Sequence, residues 1–72
     1  MDRSYSTDIG ERIKAERELL GWSQNRLAKE SGMTQSQLSF YESGKRVMYL
    51  ESARKVCDAL GVSIDWLAKG EM

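Results

Sequence analysis

Histidine and proline are absent from these 72 residues, and cysteine occurs once, at Cys57. With no histidine and a single thiol the chain has neither a zinc knuckle nor a disulfide framework. No histidine is present to activate Cys57, so no nucleophile chemistry is implied for it. No apolar run approaches the roughly 20 residues of a membrane span. A lone thiol and the lack of a signal-peptide pattern set the expectation of a reducing, cytoplasmic compartment. An excess of one charge is missing too: 11 basic side chains balance 11 acidic ones. A chain this short buries only about 60% of its unfolded surface, so tight helix packing or a partner subunit must supply its stability.

The charge that is present is unevenly spread. Residues 12–46 hold seven basic and four acidic side chains, a local +3, while the flanking segments carry −2 and −1. Any basic face therefore belongs to the middle of the chain. The lack of proline, the rarity of β-branched runs and the regular glycines all point to helices. Glycines 21, 32, 44, 61 and 70 each follow a helical pattern, where a left-handed residue closes a final turn.

Five helices and no strand are expected. The first runs from about Asp8 to Leu20, with Ile9, Ile13 and Leu20 inward, Lys14 and Glu18 outward, and Thr7 or Asp8 as its cap. Residues 1–7 form an N-terminal arm, and 8–70 the domain. After Gly21, Trp22 folds back on the last turn and Ser23 caps a second helix, about Gln24 to Glu30, burying Leu27 and Ala28. Ser31-Gly32-Met33 makes a turn. Thr34 opens the third helix, its spacing to Gln37 matching a reciprocal capping box, and Gly44 stops it. Leu38 and Tyr41 point inward. The fourth helix spans about Leu50 to Leu60 and buries Leu50, Ala53, Val56, Cys57 and Leu60. Ser63 caps a last short helix through Lys69, carrying Ile64, Trp66 and Leu67 to the core.

Helices two and three, joined by a short turn with a central glycine, form a helix-turn-helix pattern. Ala28 keeps a small side chain where the two helices approach, while Leu27, Leu38 and Tyr41 lock the pair onto the first and fourth helices. The opposite face of helix three is left free to enter a major groove.

The stretch from Ser23 to Arg46, with Leu38-Ser39, Tyr41-Glu42 and Gly44, resembles the core of the lambda-repressor/Cro-type helix-turn-helix family. Residues 59–67, Ala-Leu-Gly-Val-Ser-Ile-Asp-Trp-Leu, resemble that family's junction between helices four and five. The similarity covers about residues 8–70. It implies a compact all-α, five-helix, lambda-repressor-like domain acting as a sequence-specific regulator, a prophage-like repressor on a near-palindromic operator. Its partners would be double-stranded DNA and a second copy of itself. No cofactor, metal, small-molecule ligand or membrane partner is expected, and no enzyme activity.

The same resemblance implies roles for individual residues. Gln24 and Thr34 would contact phosphates at helix N-termini, where backbone amides attract anions. Gln35 and Ser36 would reach base edges, with Ser39 and Phe40 one turn further along the same face; a bidentate glutamine–adenine contact is worth about 1–3 kcal/mol of discrimination. Lys45 and Arg46 would hold the DNA backbone. Arg17 would pair with Glu42, tying helix one to the end of helix three. Val62, Ile64 and Trp66 lie where the family's dimer contacts gather. Domains of this kind often precede a linker and a second domain.

Three points stay open at this level. Phe40, the chain's one phenylalanine, either folds against the neighbouring turn or touches a thymine methyl. Val47-Met48-Tyr49 stands where the family commonly has a proline and a serine or threonine cap, and its three apolar side chains are core, a partner contact or contacts near the sugar-phosphate edge. A second function, an antitoxin-like or adaptor module that binds protein through the same helices, remains beside DNA binding.

Overall fold

A computed structural model describes the backbone of residues 3–70, and side chains from Asp8 onward. The helices are α1 (Arg3–Leu19), α2 (Gln24–Ser31), α3 (Gln35–Glu42), α4 (Leu50–Leu60) and α5 (Ile64–Lys69), with no strand among the described residues. No described helix is long and apolar enough to cross a membrane.

Local chemistry sets most boundaries. Ser23, Thr34 and Ser63 each accept a bond from the backbone amide three residues on, closing the first turns of α2, α3 and α5. At α3 the exchange is reciprocal, because Gln37 also accepts from the Thr34 amide at 2.9 Å. Trp22 folds back as expected, its amide donating to the Arg17 carbonyl at 3.0 Å.

Helix α1 departs from expectation at both ends. It starts at Arg3, so Thr7 and Asp8 lie inside it rather than capping it. Nothing between Arg3 and Asp8 breaks a helix, and each added residue gains a hydrogen bond once a turn exists. Met1 and Asp2, the start of the expected arm, lie outside the described residues. At the other end Leu20 falls past the helix and is 44% exposed, while Arg17 takes the inward position after Ile9 and Ile13.

The core is one cluster built from all five helices: Ile9 and Ile13, Leu27 and Ala28, Leu38 and Tyr41, Ala53, Val56, Cys57 and Leu60, and Leu67. Fully burying one large apolar side chain is worth about 1.5–3 kcal/mol. Met48, from the segment before α4, joins this cluster, Val47 is half-buried and Tyr49 is exposed, which divides that apolar triplet. Leu50 is 64% exposed rather than buried. As the first residue of α4 it precedes the inward stripe that begins at Ala53.

Two tertiary ties matter for the surface described next. Gly10 lets α1 press against the end of α3, since a Cβ there would overlap the Tyr41 and Glu42 carbonyl oxygens. Arg12 donates from Nη1 to the Leu67 and Ala68 carbonyls at 2.9 and 3.3 Å, fastening α1 to the last turn of α5.

Candidate nucleic-acid interface

Helices α2 and α3 meet through Gly32, whose φ of 71° reverses the chain in one residue. The Met33 amide bonds back to the Ala28 carbonyl at 2.9 Å, and the buried Ser31 hydroxyl donates to the Leu27 carbonyl at 2.7 Å. The turn is thus held from both sides. With Leu38, Tyr41 and Glu42 buried, Gln35, Ser36 and Phe40 form an exposed strip along α3, with Ser39 half-buried between them. That strip carries amide, hydroxyl and aromatic groups and no charge.

Behind it lies a chain of hydrogen bonds crossing three helices. Arg17 grips Glu42 with two parallel bonds, Nε to Oε2 at 2.8 Å and Nη2 to Oε1 at 3.0 Å, and spends Nη1 on the Trp22 carbonyl at 2.8 Å. Both side chains are nearly buried, at 10% and 4% exposure. Glu42 holds the Arg17 guanidinium above its ordinary pKa, its hydrogen bond and charge outweighing the desolvation that opposes them. Gln24, at the start of α2, donates to the same carboxylate at 3.1 Å. Its amide oxygen in turn accepts from Gln35 Nε2 at 2.7 Å. Gln35 is thereby oriented from behind, with one N–H and its carbonyl oxygen left over.

Cations flank the strip. Lys45 and Arg46 follow α3 and are exposed. The Lys45 amide donates to the Phe40 carbonyl at 3.1 Å, and the Arg46 guanidinium carbon lies over the Phe40 ring, 5.0 Å from its centroid. Lys14, from α1, lines a shallow polar notch with Gln24, Ser39, Glu42 and Ser43.

A family model described as helix-turn-helix matches residues 13–67, three-quarters of the chain. The chain belongs to the helix-turn-helix family. A relative from Bacillus subtilis (strain 168), the SPbeta prophage-derived HTH-type transcriptional regulator YonR, is 43% identical over 62 residues, covering 86% of this chain and 57% of that relative. The chain therefore spans little more than half the length of that curated relative. Among solved structures, the P22 c2 repressor in complex with synthetic operator 9T is 33% identical, with a TM-score of 0.82 over 88% of this chain and 96% of that one. The restriction-modification controller protein C.AhdI from Aeromonas hydrophila is 31% identical, with a TM-score of 0.83 over 86% and 94%. The fold is the five-helix lambda-repressor-like one that the sequence resemblance implied.

Within this helix-turn-helix domain the structure brings together most of the residues singled out in the sequence. Gln24, Thr34, Gln35, Ser36, Ser39, Phe40, Lys45 and Arg46 lie on or beside the α3 strip, and Arg17 reaches Glu42 behind it. Val62, Ile64 and Trp66 lie apart, half-buried against the core at the α4–α5 end. Sequence reasoning missed two features. Lys14 is exposed, as its outward reading expects, but the sequence did not place it beside α3, where it shares a notch with Ser39 and Glu42. The sequence reading also missed that Gln24 and Gln35, 11 residues apart, bond to each other; only the packing of α2 against α3 brings them together.

Proposed function

We propose that the chain is a sequence-specific double-stranded DNA-binding transcriptional regulator, a prophage-like repressor that binds a near-palindromic operator as a homodimer. The observation that carries this is the α3 strip: exposed, uncharged and flanked by Lys14, Lys45 and Arg46. Gln35, Ser36 and Ser39 read base edges in the major groove. Gln35 does so with the groups left over from its bond to Gln24, and a good bidentate contact contributes about 1–3 kcal/mol of discrimination. Gln24 and Thr34 hold phosphates at the starts of α2 and α3, where unpaired backbone amides face outward. Lys45, Arg46 and Lys14 neutralise phosphates beside them.

Two protomers related by a two-fold axis place their α3 helices in successive major grooves, about 34 Å apart. Val62, Ile64 and Trp66 supply the contact between copies. A cleft of about 150 Å³ lined by Ile9, Met48, Leu50, Ala53, Ile64, Leu67 and Ala68 opens at the same end, which supports an apolar contact there. The operator complex of P22 c2 and the prophage origin of YonR support the repressor reading.

The test is binding to random-sequence duplex DNA at low salt, then selection of preferred sites from the bound pool. Two or three neutralised phosphates per protomer predict a log–log salt slope of roughly −3.6 to −5.4 for the dimer. Gln35→Ala with Lys45→Ala should abolish binding while the helical signal and melting point persist. A wild-type chain with no DNA affinity, and a tightly bound protein recovered in its place, would instead favour the adaptor reading, for which the exposed Tyr49 and Leu50 speak.

A further inference from the structure

Phe40 is an exposed aromatic residue on a surface otherwise made of amides and hydroxyls, at 41% exposure. Its backbone and its ring both organise the segment that follows. The Phe40 carbonyl accepts from the Ser43 hydroxyl at 3.1 Å and from the Lys45 amide at 3.1 Å. Gly44, at φ 76°, turns the chain so that residue 46 comes back over the ring. There the Arg46 guanidinium carbon stands 5.0 Å from the ring centroid, within cation–π range.

A guanidinium stacked on a ring uses its flat face and leaves its N–H edge free, whereas one paired with a carboxylate uses that edge. The chain's two other engaged guanidinium groups near the helix-turn-helix both spend part of their edge. Arg26 lies 4.7 Å over Trp22, and its Nε is also engaged by Glu30 at 3.2 Å. Arg17 spends its edge on Glu42 and the Trp22 carbonyl. Among the described residues no carboxylate pairs with Arg46. Its charge stays uncompensated and its donors stay available, while its position is held from one side.

Resting on the DNA-binding reading above, we propose that Phe40 is a positioning residue: its ring is the platform that holds the Arg46 guanidinium ready for a backbone phosphate, and Phe40 acts on DNA through Arg46. A long side chain on a loop loses rotamer freedom when it meets a phosphate, and a preformed stack removes part of that ordering beforehand. The contribution is independent of sequence, because phosphates carry none. It replaces a thymine-methyl contact as the reason for an aromatic residue at this place.

Two measurements test this. In the free protein, the Arg46 side-chain protons should be shifted upfield by the ring in NMR spectra. That shift should vanish in Phe40→Leu and persist in Phe40→Tyr. For DNA, the probe is a fluorescein-labelled pool of random duplexes about two helical turns long. Phe40→Leu should weaken binding about two- to fivefold, the size of an exposed cation–π contact, and Phe40→Tyr should restore it. Arg46→Ala should weaken binding and lower the salt slope by about 0.9 per protomer. In that background Phe40→Leu should have no further effect. Sites selected by Phe40→Ala should match those of the wild type. Unshifted Arg46 protons, additive losses in the double variant, or a selected thymine that disappears with Phe40→Ala would each overturn the proposal while leaving DNA binding standing. A wild-type chain that binds no DNA would overturn both.

Discussion

Glu42→Gln keeps the shape of a side chain and removes its charge at a point where three donors converge. The carboxylate accepts from Arg17 Nε, Arg17 Nη2 and Gln24 Nε2 at 2.8, 3.0 and 3.1 Å. A glutamine amide offers one oxygen and turns an NH2 group toward a guanidinium that is 10% exposed, so donor faces donor beside an unpaired buried charge. Removing one partner of a buried pair costs about 3–5 kcal/mol. At about 0.05–0.15 kcal/mol per residue, a chain of 72 residues has roughly 4–11 kcal/mol in all. Each kcal/mol moves the melting point of a domain this size by about 4–8 °C, so the lower bound of the cost already predicts a drop of roughly 12–24 °C. Glu30→Gln serves as the internal control. Its partner Arg26 is 53% exposed, and such helix-surface pairs are worth about 0.3–0.5 kcal/mol. The assay is thermal melting by circular dichroism, repeated near 1 M salt, where a Debye length of about 3 Å screens the exposed pair more than the buried one. Arg17→Met combined with Glu42→Leu should recover most of the loss, because no charge is then stranded. A Glu42→Gln drop no larger than that of Glu30→Gln would refute the reasoning.

Tyr49 occupies the N-cap of α4 in the extended conformation a cap requires, at φ −83° and ψ 166°, yet makes no side-chain cap bond. Because it is 76% exposed, Tyr49→Ser should lose little packing and gain about 0.5–2 kcal/mol of stability in urea unfolding; an unchanged or lower midpoint would count against the cap argument. Burial, then the charge of Asp58, pushes the Cys57 thiol above its ordinary pKa, and the thiol donates to the Ser63 carbonyl at 3.6 Å. The unfolded thiol ionises first, so this contribution is whole below about pH 8.5 and is lost as pH rises through the folded value; the urea midpoint should fall more steeply above pH 8.5 in the wild type than in Cys57→Ala, and parallel falls would contradict it.

Legibility in the sequence followed the range of the interaction. Ser23, Thr34 with Gln37, and Ser63 were readable because a cap bond joins residues three positions apart, and the structure places α2, α3 and α5 close to where those signals put them, while α4 follows its apolar stripe and Gly61. Inward stripes were readable where they stayed apolar. On α1 the stripe Ile9, Ile13 continues at i+4 with Arg17, a charge, so apolar spacing skipped to Leu20, which lies past the helix. Family resemblance recovered the Arg17–Glu42 pair where periodicity did not. Leu50 was misplaced because an apolar residue at the first position of a helix need not share the face of those that follow. Gly10, the Gln24–Gln35 bond and the stack of Arg46 on Phe40 depend on what another segment brings, and no local pattern announces them.

The zero net charge, which at first speaks against a nucleic-acid partner, loses its force once the charges are placed. Of the seven cations between residues 12 and 46, Arg17 is neutralised by Glu42, Arg26 by Glu30, and Arg12 is turned to carbonyls of α5. The same two pairs consume half the acids of that stretch. Among the described residues, what stays unpaired beside α3 is Lys14, Lys45 and Arg46, while α3 itself contributes no exposed charge. The described residues span 29 × 26 × 20 Å, more than twice the Debye length of about 8 Å at physiological salt in every direction, so charges on the far side are largely screened from this surface. The proposed division of labour follows from that placement: neutral groups on the helix discriminate between bases, and cations on the adjoining segments hold the backbone, so the field that matters is local and the sum over the chain is not.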